Sequence, residues 1–145
     1  MKDRKISSKE EYAESWKRII AWIIDSAIIL LTTWIFFLFV FQMETLFYFL
    51  FHLIAYLFGF FYFWLLESYN NGQTLGKLIF GLKTVNEETL RKASKGDYLK
   101  NCILKSHWLL CIIDVIIGSI NNYGDPKNRL RIMQNASQTV IIKVR

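Results

Sequence analysis

Ile19-Ile20-Ala21-Trp22-Ile23-Ile24-Asp25-Ser26-Ala27-Ile28-Ile29-Leu30-Leu31 opens an apolar run that continues to Phe41, breaks at Gln42-Met43-Glu44-Thr45, and resumes from Leu46 to Leu66. Between Ile19 and Leu66 there is no lysine or arginine, and the charged side chains are Asp25 and Glu44. About 20 apolar residues at ~1.5 Å each cross a ~30 Å hydrocarbon core. Residues 19–41 and 46–66, with 23 and 21 residues, are each long enough. A four-residue link joins two such helices only as a tight antiparallel hairpin, because backbone amides in lipid must be satisfied within the helices. The first run is too long for a signal peptide and lacks a small-residue cleavage site. The fold class read from this stretch is all-α integral membrane, built on a two-helix transmembrane hairpin.

Composition agrees. Apolar residues make up 53% of the chain and aromatics 17%, and eleven of the twelve phenylalanines fall between Phe36 and Phe63. Lipid contact and packing account for these rings. The net charge of +6 raises the question of nucleic acid, but no basic stripe interleaves with aromatics, so no nucleic-acid partner is expected. All 18 lysines and arginines lie in three blocks: six in residues 1–18, seven from Lys77 to Lys105, and five from Lys127 onward. By the positive-inside rule these three blocks are cytoplasmic, and the expected location is the plasma membrane with the N-terminus inside. The layout is one domain: a cytoplasmic segment 1–18, membrane helices 19–41 and 46–66, a cytoplasmic loop 67–101, a third apolar segment 102–120, and a cytoplasmic tail 121–145.

The third segment, Cys102 to Ile120, carries Lys105, His107 and Asp114. A single crossing leaves the basic tail outside, against the charge rule. A re-entrant or interface-lying hairpin is therefore preferred, with a helix over 101–113 and a turn near Asp114 to Gly118; a single third span is the competing reading. Two β-branched segments, 78–85 and 139–144, read as a short cytoplasmic strand pair, which also requires one side of the membrane. Ser94 is a candidate N-cap for the helical pattern from Tyr98, although Gly96 weakens its first turn. Residues 1–15 read as a cytoplasmic helix or frayed tail.

Three motifs resemble the RDD family, small bacterial and archaeal membrane proteins named for one arginine and two aspartates. Trp16-Lys17-Arg18-Ile19-Ile20-Ala21-Trp22-Ile23-Ile24-Asp25 is similar to its opening helix. Asn71-Gly72-Gln73-Thr74-Leu75-Gly76-Lys77, running on to Gly81-Leu82-Lys83-Thr84-Val85, is similar to its second signature. The tail Arg131-Ile132-Met133-Gln134-Asn135-Ala136-Ser137-Gln138-Thr139-Val140 fits its closing signature in degraded form, with Gln134 where the family carries Asp and Ser137-Gln138 where it carries Ala-Gly. The resemblance implies a prokaryotic multi-pass protein and, loosely, transport, in some relatives monovalent cation/proton antiport. Gln134 cannot titrate in place of an aspartate, which leaves Asp114 as the second acidic candidate.

An ionised aspartate inside a membrane helix costs roughly 2.5 to 3.5 kcal/mol and requires a partner, a proton or water. Arg18 and Asp25 share a helix face about 10 Å apart along the axis, and Arg18 leans away toward the headgroups. Asp25 is thus expected to find a partner elsewhere, at Lys105, His107 or Arg131. One reading makes Asp25 and Asp114 a proton or cation site gated by the re-entrant segment; the other makes Asp25 part of a buried ion pair that fixes helix register. Gly72, Gln73, Thr74, Gly76 and Lys77 form either a backbone nest for a lipid headgroup phosphate or a turn that hinges the membrane and cytoplasmic parts. The spacing is not that of a P-loop. His52 reads as a polar packing residue bonded to the first helix. Cys102 and Cys111 lack further ligands at metal spacing, and no catalytic triad or nucleotide motif occurs. The expected profile is therefore a non-enzyme with no cofactor and no metal. Its partners are the lipid bilayer and monovalent cations or protons, and it is a homo-oligomer because two or three helices do not enclose a path alone. A non-transporting scaffold or lipid-binding accessory is the alternative.

Overall fold

The computed structural model describes residues 10–40 and 47–144, so the link Gln42 to Thr45 and most of the N-terminal segment lie outside the described residues. The two apolar runs are helices α1 (Ser15–Val40) and α2 (Phe47–Tyr69), both long and apolar enough to cross a membrane. They pack through Phe36 on Phe58 and through Phe51 on Trp34 and Phe37. Leu31, Leu38, Phe49 and Phe61 stay exposed on their outer faces. Each helix extends past its apolar run at one end, α1 to include Arg18 and α2 to include Glu67, because both charges have polar partners beyond the helix.

The strand expected over 78–85 is corrected in its first half. Thr74 caps a short helix α3 (Leu75–Ile79) by accepting a hydrogen bond from the Lys77 amide, and strand β2 begins at Leu82 and ends at Asn86. The tail strand β3 (Thr139–Val144) lies where expected and pairs antiparallel with β2, Val85 opposite Val140. Its other edge pairs with Glu10–Tyr12, a strand β1 where a helix or frayed tail was expected. The sheet order is β1-β3-β2. One sheet face packs Leu82 and Ile141 against Ala13, just before α1, and Ala21 within it; the other gathers Val85, Val140 and Ile142 with Tyr12 and Leu90.

The third apolar segment is not one helix. Helix α4 (Lys95–Cys102) begins at Ser94, which forms a capping box with Asp97, and helix α5 runs unbroken from Trp108 to Asn121. The break lies at 103–107, and the turn expected at Asp114 to Gly118 is absent because Asp114 is an interior residue of α5 bonded to the tail. The same break means that residues 102–120 do not form one continuous helix. The α4–α5 hairpin lies along α2: Trp64 donates to the Lys95 carbonyl at 3.2 Å, and at the tip the His52 and His107 ring nitrogens meet at 3.3 Å. His52 therefore pairs with the hairpin tip rather than with α1. Gly59 permits this approach, since a Cβ there would sit 2.5 Å from the Ser106 carbonyl oxygen. Fourteen residues make α5 about 21 Å long, short of a crossing. Its inner face presents Cys111, Asp114 and Gly118; Trp108, Leu109, Ile112, Ile113, Ile116, Ile117 and Ile120 are exposed. A last short helix, α6 (Ile132–Ala136), packs on the end of α5 and leads into β3.

Candidate functional site

A buried charged cluster forms where the sheet end of α1 meets the end of α2, helix α3, the α4–α5 hairpin and the tail. Asp25 is 1% exposed and accepts three hydrogen bonds: from Tyr62 Oη at 2.7 Å, Thr74 Oγ1 at 2.6 Å and the Gly76 amide at 2.8 Å. All three donors are neutral. The expected cationic partners are a correction: Lys105 goes to Glu67, Arg131 to Asp114 and Asn101, and His107 to His52.

The loop motif also takes a different role. Thr74 and Gly76 do cradle an anion, but it is the Asp25 carboxylate of the same chain, which ties the start of α3 to the third turn of α1. Gly72 donates its amide to the Glu67 carbonyl, and Gln73 donates to the Leu82 carbonyl at 3.0 Å, so both serve the turn. The loop thus forms a turn that leads from α2 through α3 into the sheet. Helix α3 touches α1 so closely that a Cβ on Gly76 would lie 2.1 Å from the Ala21 carbonyl oxygen. Gly76→Ala should therefore push α3 off α1 and destabilise the protein by roughly 1–3 kcal/mol, readable as a lowered unfolding temperature in detergent.

Glu67, which reads in the sequence only as a neighbour of the loop, is the hub. It is fully buried and takes Lys77 Nζ at 2.7 Å, Lys105 Nζ at 2.5 Å and Asn101 Nδ2 at 3.1 Å. The available signal was a carboxylate ending an apolar run, with a lysine ten residues on inside a glycine loop. Burial pulls the Lys77 ammonium down to about 8, against Glu67, which holds it up. Asp114 accepts from Arg131 Nη1 at 3.3 Å and from the Met133 amide at 3.0 Å, so it anchors the start of α6. Arg131 also donates to the Asn101 carbonyl and side-chain oxygens.

Arg18 stands apart. It does not reach Asp25; it crosses to the tail, where Nη2 donates to Gln134 Oε1 at 2.7 Å and Nη1 to the Asn128 carbonyl. Arg18 is 8% exposed, its Nε has no partner among the described residues, and none of the salt bridges there includes it. Gln134 Oε1 accepts from Arg18, the Leu130 amide and the Arg131 amide, while its Nε2 is a buried donor without an acceptor among the described residues. Three donors around one oxygen and an orphaned amide beside it suit a carboxylate better. Gln134→Glu should raise stability by about 1–2 kcal/mol, seen as a higher unfolding temperature.

Between α1 and α5 lies a cavity of about 240 Å³. Arg18, Asp25, Lys77, Lys105 and Arg131 reach its inner wall, and Ile19 and Trp22 of α1 face Ile112, Val115 and Ile116 of α5 across its apolar part. Ile19, Ile112 and Ile116 are all exposed, so the apolar part reaches the outer surface of the helices.

Searches of curated proteins and of solved structures return no match. The RDD family model matches residues 12–129, which includes Arg18, Asp25, the glycine loop, Glu67 and Asp114 and stops before the departing tail. On that match, together with two long apolar helices and the glycine loop folded onto Asp25, the chain belongs to the RDD family.

Proposed function

We propose that this RDD-family protein is a multi-pass protein of a prokaryotic plasma membrane that binds a bilayer amphiphile in the cavity between α1 and α5. In this reading α1 and α2 cross the bilayer, the sheet lies on the cytoplasmic side, and α4–α5 is a re-entrant hairpin entering and leaving there. Two facts support the topology. The sheet joins β1, β2 and β3, which lie before α1, after α2 and after α5, and those strands must share one side of the membrane. Helix α5 also exposes Trp108, Leu109, Ile112, Ile113, Ile116, Ile117 and Ile120, side chains that water would penalise.

The observation that carries the binding reading is the cavity itself, charged at its inner end and apolar where it meets the lipid-facing surface. An amphiphile has the same polarity order. Native mass spectrometry of protein extracted in mild detergent tests it. Wild type should retain a lipid, and Val115→Phe, which fills the cavity wall, should lose it; undiminished retention by Val115→Phe rejects the reading.

One observation favours monovalent cation/proton exchange as a second reading: the buried acidic residue Asp25 is among those lining the cavity. Because two spans and a hairpin enclose little, this reading requires a homo-oligomer. Wild-type proteoliposomes that show no sodium- or potassium-dependent proton movement would reject it. The occupied state of Asp25, with three neutral donors, favours the binding reading.

A further inference from the structure

We infer that the cavity selects an anionic membrane lipid and that Arg18 holds its phosphate; the inference rests on the binding reading above. Four cations, Arg18, Lys77, Lys105 and Arg131, line the cavity. Three carboxylates serve them or stand among them, and each is already taken: Glu67 by both lysines, Asp114 by Arg131, and Asp25 by neutral donors. Arg18 is left with an amide oxygen and a backbone carbonyl. A guanidinium stays protonated at any physiological pH, and a buried charge without a counter-ion is expensive. Its Nε is a buried donor with no partner among the described residues, and Arg18 lines the cavity. An anion from outside the chain supplies both the missing charge and the missing acceptor, and phosphate oxygens match the planar fork of arginine.

The position identifies the source of that anion. Arg18 lies in the first turn of α1, about 10 Å along the helix from Asp25, between Trp16 and Trp22, the depth at which a membrane helix meets headgroups and carries aromatic anchors. A volume of 240 Å³ is below the usual range for a whole small-molecule site, so it takes a headgroup and the first carbons, while the acyl chains leave between Ile19 and Ile116 into the bilayer. A zwitterionic headgroup would bring an ammonium beside Lys77, Lys105 and Arg131. A headgroup of net charge minus one balances the excess of one positive charge left by four cations and three carboxylates.

The test is competition. Purified protein receives equal amounts of phosphatidylglycerol and phosphatidylcholine in detergent, and native mass spectrometry reads the retained lipid. Wild type should favour phosphatidylglycerol about fivefold to tenfold, as for one well-placed basic contact at a membrane surface. Arg18→Gln should bring the ratio near one. Gln134→Glu should do the same without lowering the unfolding temperature, because it gives Arg18 a carboxylate and keeps the acceptor for its three donors. That second variant keeps the test valid should Arg18→Gln fail to fold. Equal retention of both lipids by wild type, with Val115→Phe losing both, would overturn the anion selection and leave the cavity reading intact; no retained lipid at all would overturn both. A phosphatidylglycerol preference that survives Gln134→Glu would overturn the role of Arg18, and displacement of the lipid by millimolar inorganic phosphate would overturn a lipid as the ligand.

Discussion

Asp25→Ala should lower the stability of the detergent-solubilised protein by roughly 3–5 kcal/mol, enough to prevent recovery of folded material from a marginal variant. The reason is the number of donors that lose their acceptor. Tyr62 Oη, Thr74 Oγ1 and the Gly76 amide all point at this carboxylate, and Thr74 and Gly76 are buried. Each buried donor left without a partner costs about 1–3 kcal/mol. Asp25→Asn keeps one acceptor oxygen and should cost less than half as much, and Tyr62→Phe, which removes a single donor, about 1 kcal/mol. A thiol-reactive dye followed with temperature reads all three, because Cys102 and Cys111 are free and buried and become reactive only on unfolding. An Asp25→Ala protein that unfolds at the wild-type temperature would show that the carboxylate does not lock α3 to α1.

Glu67→Ala should be about as damaging, for a different reason. It leaves Lys77 and Lys105 buried and mutually repelling, with Lys105 also stacked 3.8 Å from the centre of the Phe63 ring. Removing one partner of a buried ion pair costs about 3–5 kcal/mol because the stranded charge has no solvent. The compensating variant follows directly. Replacing Glu67, Lys77 and Lys105 together with Leu, Met and Met should recover most of the loss, since the desolvation penalty disappears with the charges. If the triple variant is no more stable than Glu67→Ala alone, the loss comes from packing and not from charge.

The two long helices were legible because a membrane-length apolar run has one backbone solution. The topology of the third segment was legible in part. Charge placement suggested that the chain turns back, but the position of the turn was not readable, as no glycine or proline marks residues 103–107. That break is tertiary: Lys105 reaches Glu67, and Ser106 seats on Gly59 of α2. Strand β1 was invisible because three residues carry no usable period, and it forms only because β3 has a free edge. Leu78, Ile79 and Phe80 read as strand by propensity, while the Thr74 cap and the contact of Gly76 with α1 make the first two helical. At the site, a buried Asp25 with polar neighbours was foreseeable from cost alone. Its partners were not, because the sequence shows cations as the obvious match and hides the neutral donors of a loop fifty residues away. Gln134 was recognisable as a departure from the motif; what it does to Arg18 required the fold.

Thiol labelling from the two sides of the membrane tests the arrangement most directly. Lys92→Cys precedes α4 and Tyr123→Cys follows α5, and both positions are exposed. A membrane-impermeant maleimide should reach both from the cytoplasmic face of inverted vesicles and neither in intact cells. Labelling of Tyr123→Cys in intact cells, with Lys92→Cys protected, would mean that the hairpin crosses the bilayer and that the sheet cannot form as described.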